Sequence, residues 1–176
     1  MKNITLTTIL FFITITAFSQ TASTYLSPVA SPQASVSQNV GMTNISINYS
    51  SPGVKGRKDF GGLVPYNQLW RAGANSPTRI KFSTSVIVGE KTLSAGKYAI
   101  AVTPRAEDKW TIDLNSAGKY PFAYMKGGKL DREAYNQDLA VSIDVDAEYR
   151  GNDSSIERLK YIIDANDNKK ANIILL

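Results

Sequence analysis

The stretch YAIAVTPRAEDKWTIDL, residues 98–114, carries the clearest pattern in the chain. Large apolar side chains occupy every second position on both sides of a polar, proline-containing segment: Tyr98, Ile100 and Val102, then Trp110, Ile112 and Leu114. A period of two indicates strands with one buried face, because successive side chains of a strand point to opposite faces. The stretch therefore predicts two β-strands with a turn between them.

The same alternation continues in both directions and predicts about nine short strands. The other runs begin at Val36, Ile45, Ile80, Val86, Leu139, Leu159 and Ala171. Only residues 131–138 have a helical pattern, and it lasts about two turns. Because strands with one apolar face must bury it against another layer, we predict an all-β fold, an antiparallel β-sandwich of which a jelly roll is one form. A partly open barrel is the alternative.

The chain of 176 residues contains no cysteine and no histidine. Disulfides, a lipid-anchoring cysteine, a thiolate metal site and a Ser-His-Asp triad are therefore excluded. We predict no metal and no cofactor. The length suits a single domain.

The N-terminus predicts export. Residues 1–19 have one basic residue, Lys2, followed by an apolar run and the small residues Ala17 and Ser19, which is typical of a signal peptide. Residues 20–35 form a Ser/Pro/Thr-rich leader and residues 36–176 the domain. The expected location is periplasmic or extracellular, with no lipoprotein anchor and no membrane span after cleavage. The apolar ending at residues 173–176 leaves open whether the chain is truncated at its C-terminal strand.

Charge is uneven along the mature chain. Residues 50–105 contain nine basic and two acidic side chains, whereas residues 106–176 have a small acidic excess. The basic half favours an anionic ligand. The total excess is too small and too scattered to predict nucleic-acid binding.

Residues 51–77, SPGVKGRKDFGGLVPYNQLWRAGANSP, are predicted to form one long ordered loop. Loops of this length in compact domains are usually functional or disordered, and the large apolar groups argue against disorder. Aromatic rings beside guanidinium groups suit a glycan, a peptide or a small anionic ligand. The candidate ligand-binding residues are Arg57, Lys58, Asp59, Tyr66, Trp70, Arg71 and Asn75. In the structural alternative, Trp70 and Tyr66 close the end of the sandwich and Arg71 pairs with Asp59.

Three further patterns favour turns or solvent-exposed strands over chemistry. The S-x-x-K sequences at 94–97 and 116–119 lie at predicted turns without the helix that penicillin-binding enzymes need. Residues 164–168 resemble the start of a calcium loop, but the glycine and the final glutamate are missing. The acidic alternation over 138–148 is best explained by a solvated strand face.

Three stretches of the sequence are distinctive: YSSPGVKGR at 49–57, LVPY at 63–66 and above all WRAGAN at 70–75. Through them the sequence resembles a family of secreted bacterial proteins, the domain of unknown function 2911. It implies export and a domain of this size, and it implies no reaction. Two features depart from the family pattern: no Trp-Gly pair follows Trp110, and no Trp-Glu pair follows the last strand.

We therefore weigh three hypotheses. The first is a non-enzymatic exported domain that binds a ligand or partner through residues 51–77. The second is a carbohydrate-directed hydrolase that lacks histidine and uses Asp59 as the base, with Arg57, Arg71 or Tyr66 stabilising charge. The third is a purely structural module. The sequence leaves the oligomeric state open.

Overall fold

A computed structural model describes residues 27–148 and 156–176 of the chain. The predicted signal peptide at 1–19 and residues 20–26 of the predicted leader lie outside the described residues. The described chain forms twelve strands, one short helix and one 3-10 turn. Their bounds are β1 Gln33–Val40, β2 Thr43–Ser50, β3 Arg79–Phe82, β4 Val86–Val88, β5 Lys91–Leu93, β6 Gly96–Thr103, β7 Trp110–Asn115, the 3-10 turn Pro121–Tyr124, β8 Met125–Lys126, β9 Lys129–Leu130, α1 Arg132–Gln137, β10 Leu139–Val145, β11 Tyr161–Asp167 and β12 Lys170–Leu175.

Six strands form one sheet in the order β1-β2-β3-β6-β7-β10. Every neighbouring pair is antiparallel. The order follows the chain, except that the β4–β5 hairpin is inserted between β3 and β6 and the β8–β9 hairpin between β7 and β10, and each forms its own pair. The all-β antiparallel prediction is thus confirmed, and each of the nine predicted runs overlaps a strand.

One face of this sheet is apolar and forms the core. Ile47 is fully buried and lies in register between Val36 and Ile80. Leu114 lies in the same way between Ile100 and Val141. Removing a side chain of this size from water contributes about 1.5–3 kcal/mol. The period-two pattern of the sequence therefore sets the register of the sheet.

The apolar face is covered by separate hairpins and by the long loop. Leu93 from β5, and Tyr161 and Ile163 from β11, belong to the same buried cluster as the sheet residues. The rings of Tyr49 and Tyr161 pack edge to face at 4.9 Å. In the described ranges the covering strands occur as two-stranded hairpins, so the second full sheet of the predicted sandwich is not established.

The opposite face of the sheet is polar and is covered in part by residues 116–138, which connect β7 to β10. Tyr124 and Tyr135 of this segment bond to Asn115 and Asp113 of β7. Those two residues are the cross-strand partners of the buried Ala99 and Ala101. The connection therefore shields the middle of a face that would otherwise be in solvent.

Helix α1 is the short helix predicted at 131–138. Asp131 caps it, because its carboxylate accepts a 3.0 Å hydrogen bond from the backbone N–H of Ala134. The helix buries one large side chain, Tyr135, which is 1% exposed. Its position over the sheet is therefore fixed by that tyrosine.

Candidate functional site

The long loop at 51–77 contains no strand and is held to the body of the protein at both ends. Near its start, Gly53 forms an isolated bridge with Arg158, and the N–H of Val54 donates to the carbonyl oxygen of Glu157 at 2.9 Å. Near its end, Trp70 forms an isolated bridge with Val102 of β6. The loop is therefore an ordered part of the fold.

Arg57 braces the first part of this loop. Its Nε donates to the carbonyl oxygen of Val54 at 3.0 Å, and its Nη2 donates to that of Gly53 at 2.9 Å. Lys58 is exposed, and its carbonyl oxygen accepts from the N–H of Leu63. Arg57 through its side chain and Lys58 through its backbone therefore stabilise the turn in which they lie.

Asp59 is half-buried beside Arg57. Burial raises the pKa of its carboxyl group, and the Arg57 guanidinium partly opposes that shift. The carbonyl oxygen of Asp59 accepts from the N–H groups of Gly62 and Val64. A raised carboxyl pKa is what a general acid or base needs, although buried structural carboxyls also show it.

The aromatic residues of the loop pack on each other and on the sheet. Phe60 lies edge to face against Trp70 at 5.8 Å and against Trp110 of β7 at 4.5 Å. Tyr66 lies over Gly61, where an added Cβ would stand 2.5 Å from the tyrosine ring. Trp70 and Tyr66 are both half-buried.

Arg71 and Asn75 point to a different part of the molecule. The Arg71 Nη1 donates to the carbonyl oxygen of Asn75 at 2.7 Å, and its guanidinium lies 5.2 Å from the Phe122 ring centre and 5.8 Å from that of Tyr120. The Asn75 amide donates to the carbonyl oxygen of Ser31. Arg71 therefore contacts the 116–138 connection, and the charge beside Asp59 is that of Arg57.

The seven predicted residues are thus distributed over three places. Arg57, Lys58 and Asp59 lie at the start of the loop, Tyr66 and Trp70 in its packed middle, and Arg71 and Asn75 near its end. The one loop residue that reaches the concave site described next is Asn67, which adopts a φ of 61° and donates its N–H to the carbonyl oxygen of Pro104.

This concave site, which we call the polar cleft, has a volume of about 230 Å³ and lies between the loop, α1 and one edge of the sheet. Almost all of its lining is polar. It comprises two guanidinium residues, two amides, three hydroxyls, one carboxylate and one leucine: Arg105, Arg132, Asn67, Asn136, Thr103, Thr111, Ser142, Asp113 and Leu139.

Asp113 is the buried charge of the polar cleft, at 5% exposure. One carboxylate oxygen accepts from the Ser142 hydroxyl at 2.6 Å and the other from the Tyr135 hydroxyl at 3.0 Å. Burial and the neighbouring carboxylate raise the pKa of Tyr135, which keeps this hydroxyl a donor. The carboxylate is therefore held in a fixed orientation.

The two guanidinium groups of the polar cleft differ in how firmly hydrogen bonds hold them. Arg105 donates through one nitrogen to the carbonyl oxygen of Lys109 and to the hydroxyl of Thr111, at 2.6 and 2.7 Å. The Thr111 hydroxyl donates in turn to Asp144. Arg132 lies on α1 with an exposed side chain. The cleft thus offers one ordered and one adaptable cation.

A second polar network lies beside the cleft, beneath the 116–138 connection. The Asn115 amide donates to the Tyr124 hydroxyl at 2.8 Å, and that hydroxyl donates to Asp138 at 2.7 Å. Burial and the bond to Asp138 raise the pKa of Tyr124 to about 12. The bond from Tyr124 and the ammonium of Lys119 hold the pKa of Asp138 below its usual value.

The remaining sequence patterns take structural roles. Both S-x-x-K sequences lie outside helices, at the start of β6 and after β7. The carboxylate of Asp167 accepts from the N–H groups of Lys169 and Lys170, which closes the β11–β12 turn. Asp146 pairs with Lys109 at 3.4 Å. In the described ranges, no group of three metal-binding side chains converges.

The polar cleft is not among the sites predicted from the sequence. The available signal was the row of polar residues Thr111, Asp113 and Asn115, which alternates with the apolar residues of β7. Polar residues at these positions normally face water. Asp113 differs because Tyr135 packs over it and buries it. The position of Tyr135 over β7 follows only from the fold.

Together, fold and cleft define a class: an antiparallel all-β domain whose polar sheet face carries a small, charged recess bordered by a long ordered loop. The chain belongs to the family described as "Protein of unknown function (DUF2911)", which it matches over residues 31–176. This confirms the resemblance seen in the sequence. No curated protein and no solved structure matches the chain. Across the residues that the structure describes, no helix has the length and apolarity to cross a membrane.

Proposed function

We propose that the protein is an exported, non-enzymatic binding domain, and that its polar cleft takes a small polyhydroxylated ligand such as a sugar unit of a glycan. The observation that carries the proposal is the Asp113 carboxylate, buried at the cleft and oriented by two hydroxyl donors. A carboxylate fixed in this way is a directed acceptor for the hydroxyl groups of a ligand.

The rest of the lining supports the same ligand class. Amide and hydroxyl groups can each donate and accept, which matches the mixed hydrogen bonding of a sugar. Leu139 is the single aliphatic side chain of the lining, so the cleft offers little surface to an apolar ligand. The guanidinium groups of Arg105 and Arg132 favour a sugar that also carries a carboxylate.

The loop at 51–77 keeps a role in this proposal, but through other residues than those first expected. Asn67 contributes to the lining, and Trp70 and Phe60 fix the loop against β6 and β7. The predicted residue Trp70 therefore acts as a support for the cleft wall. This differs from direct stacking on a ligand.

The test is a calorimetric titration of the mature protein with neutral monosaccharides, sugar acids and free amino acids. Arg132→Ala and Asn136→Ala change exposed side chains of the cleft and should keep the fold. We expect binding of a sugar or sugar acid that weakens about tenfold in Arg132→Ala, since a hydrogen bond to a charged group is worth about 1.5–3 kcal/mol. Lys129→Ala, which removes a neighbouring charge outside the lining, is the control. Binding that survives both cleft changes would place the ligand elsewhere.

A further inference from the structure

A second concave site lies on the polar face of the sheet, at the opposite side from the polar cleft. It has a volume of about 330 Å³ and shares no lining residue with that cleft. We call it the cationic groove, because three of its lining residues are Arg79, Lys81 and Lys97.

The sheet register places these three cations together. Lys81 of β3 is directly opposite Lys97 of β6, and Arg79 is opposite Ala99, one row away. Ile80 and Phe82 are buried on the other face, so Arg79 and Lys81 share the polar face. Directly opposed side chains have Cβ atoms about 4.5–5.5 Å apart.

This arrangement works against folding. Like charges directly opposite each other destabilise an antiparallel pair. Lysines on edge strands are commonly explained by their resistance to aggregation, but β3 and β6 are the two central strands of the sheet. Protection of an edge therefore does not account for the Lys81–Lys97 pair.

The surroundings of the three cations leave their charge uncompensated. Within the described ranges, none of them forms an ion pair. The lining contains no aspartate or glutamate, and its other polar residues are Gln33, Asn48, Tyr49, Ser50 and Ser76. Arg79 is held in place by a 3.3 Å hydrogen bond from its Nη2 to the carbonyl oxygen of Gly118, which leaves its other donors for a ligand.

We propose that the cationic groove binds a small ligand through a tetrahedral dianion, a phosphate or sulfate group. A guanidinium offers two parallel donors to such an oxyanion, and the two ammonium groups add point charges. A phosphate carries about −1.5 to −2 charges near neutral pH, which suits three clustered cations better than a single carboxylate does. The neighbouring amides and hydroxyls can bind the remainder of the ligand.

The test is a titration of the full mature chain with inorganic phosphate, inorganic sulfate, a phosphate monoester and acetate, at low salt and at physiological salt. Lys81→Gln and Lys97→Gln change exposed groove residues. Lys91→Gln on β5 removes the same charge outside the groove and is the matched control. We expect phosphate or sulfate to bind, acetate to bind at least tenfold more weakly, and each groove variant to lose about tenfold in affinity while Lys91→Gln keeps it.

A second measurement uses thermal unfolding, with and without phosphate. Without anion, Lys81→Gln and Lys97→Gln should raise the Tm slightly because the like-charge contact is removed, and phosphate should raise the Tm of the wild type more than that of either variant. The proposal is overturned if acetate binds as well as phosphate, or if Lys91→Gln loses as much affinity as the groove variants, since either result reports net charge alone.

Discussion

The Tyr161 hydroxyl donates a 2.8 Å hydrogen bond to the carbonyl oxygen of Ala72, 89 positions earlier in the chain. The same carbonyl oxygen accepts from the Thr78 hydroxyl at 2.9 Å, and all three residues are buried. Ala72 has a φ of 53°, a conformation that costs a residue with a Cβ about 1–2 kcal/mol. The end of the long loop is thus held in an unfavourable backbone conformation by a strand from the far end of the domain.

Tyr161→Phe should lower the free energy of unfolding by about 1–2 kcal/mol, because it removes this bond and leaves the ring in place. Urea unfolding measures the change. Tyr66→Phe is the control, since the Tyr66 hydroxyl lies in the same loop and is not used in a hydrogen bond among the described residues. Equal stability of Tyr161→Phe and the wild type would show that the bond contributes nothing net.

Gly73→Ala should destabilise the protein by about 1–3 kcal/mol. A Cβ at Gly73 would stand 2.5 Å from the Thr78 Oγ1 and 3.3 Å from the carbonyl oxygen of Ser50, so the hydrogen bond from Thr78 to Ala72 would have to move. Gly96→Ala is the matched control, because its nearest neighbour would be the Tyr98 ring at 3.7 Å. The changes in Tm that thermal unfolding measures for the two variants should differ in sign or clearly in size.

Trp70→Ala should lower the Tm by roughly 5–10 °C, since a half-buried tryptophan that packs on Phe60 contributes about 2–3 kcal/mol. Leu63→Ala, an exposed apolar side chain in the same loop, should leave the Tm within about 2 °C. A stable Trp70→Ala variant that has lost ligand binding would instead support the first expectation, direct contact between the indole and a ligand.

Asp59→Asn tests the hydrolase hypothesis. The hydrogen bonds at this position are made by the backbone, so the variant should fold normally. We expect no turnover of glycoside or ester substrates by the wild type, and hence no change in the variant. Wild-type turnover that disappears in Asp59→Asn would replace the binding proposal with an enzyme that uses this carboxyl as its base.

Alkaline pH should destabilise the protein in a specific window. Burial raises the pKa of Tyr161 and Tyr135 far above 10 and that of Tyr124 to about 12. Because the folded pKa values lie above the unfolded value near 10, the neutral rings stabilise the fold fully below pH 10, and this contribution is lost as the pH rises toward and past 12. The free energy of unfolding, measured with urea across this pH range, should decline less steeply in Tyr124→Phe than in the wild type.

The strands could be predicted from the sequence because the signal for them is local. Apolar residues at every second position share one face only in a β-strand, and burial of that face favours the strand. The sequence predicted the loop at 51–77 for the same kind of reason, since glycine and proline exclude long regular elements. It left the role of Trp70 open between ligand contact and packing, because aromatic rings that bind ligands and aromatic rings that pack on Phe60 have the same signature in one dimension.

The two recessed sites depend on pairings that no local pattern contains. Asp113 becomes a buried carboxylate only when Tyr135, 22 residues later, is placed over it. Lys81 and Lys97 become a like-charge pair only through the register of β3 with β6. The uneven charge along the chain indicated a basic region, and the fold was needed to show which three cations share a surface.

The arrangement of strands also has a consequence for how the chain is made. The sheet from β1 to β10 assembles almost in chain order, whereas β11 packs beside β1 and brings Tyr161 to the core as the last large ring. The N-terminal strands are synthesised first, so the apolar face of the sheet is covered only by the long loop and the β4–β5 hairpin until β11 and β12 follow. Substitutions in β11 and β12 should therefore promote aggregation of the newly made chain, in addition to lowering the stability of the folded domain.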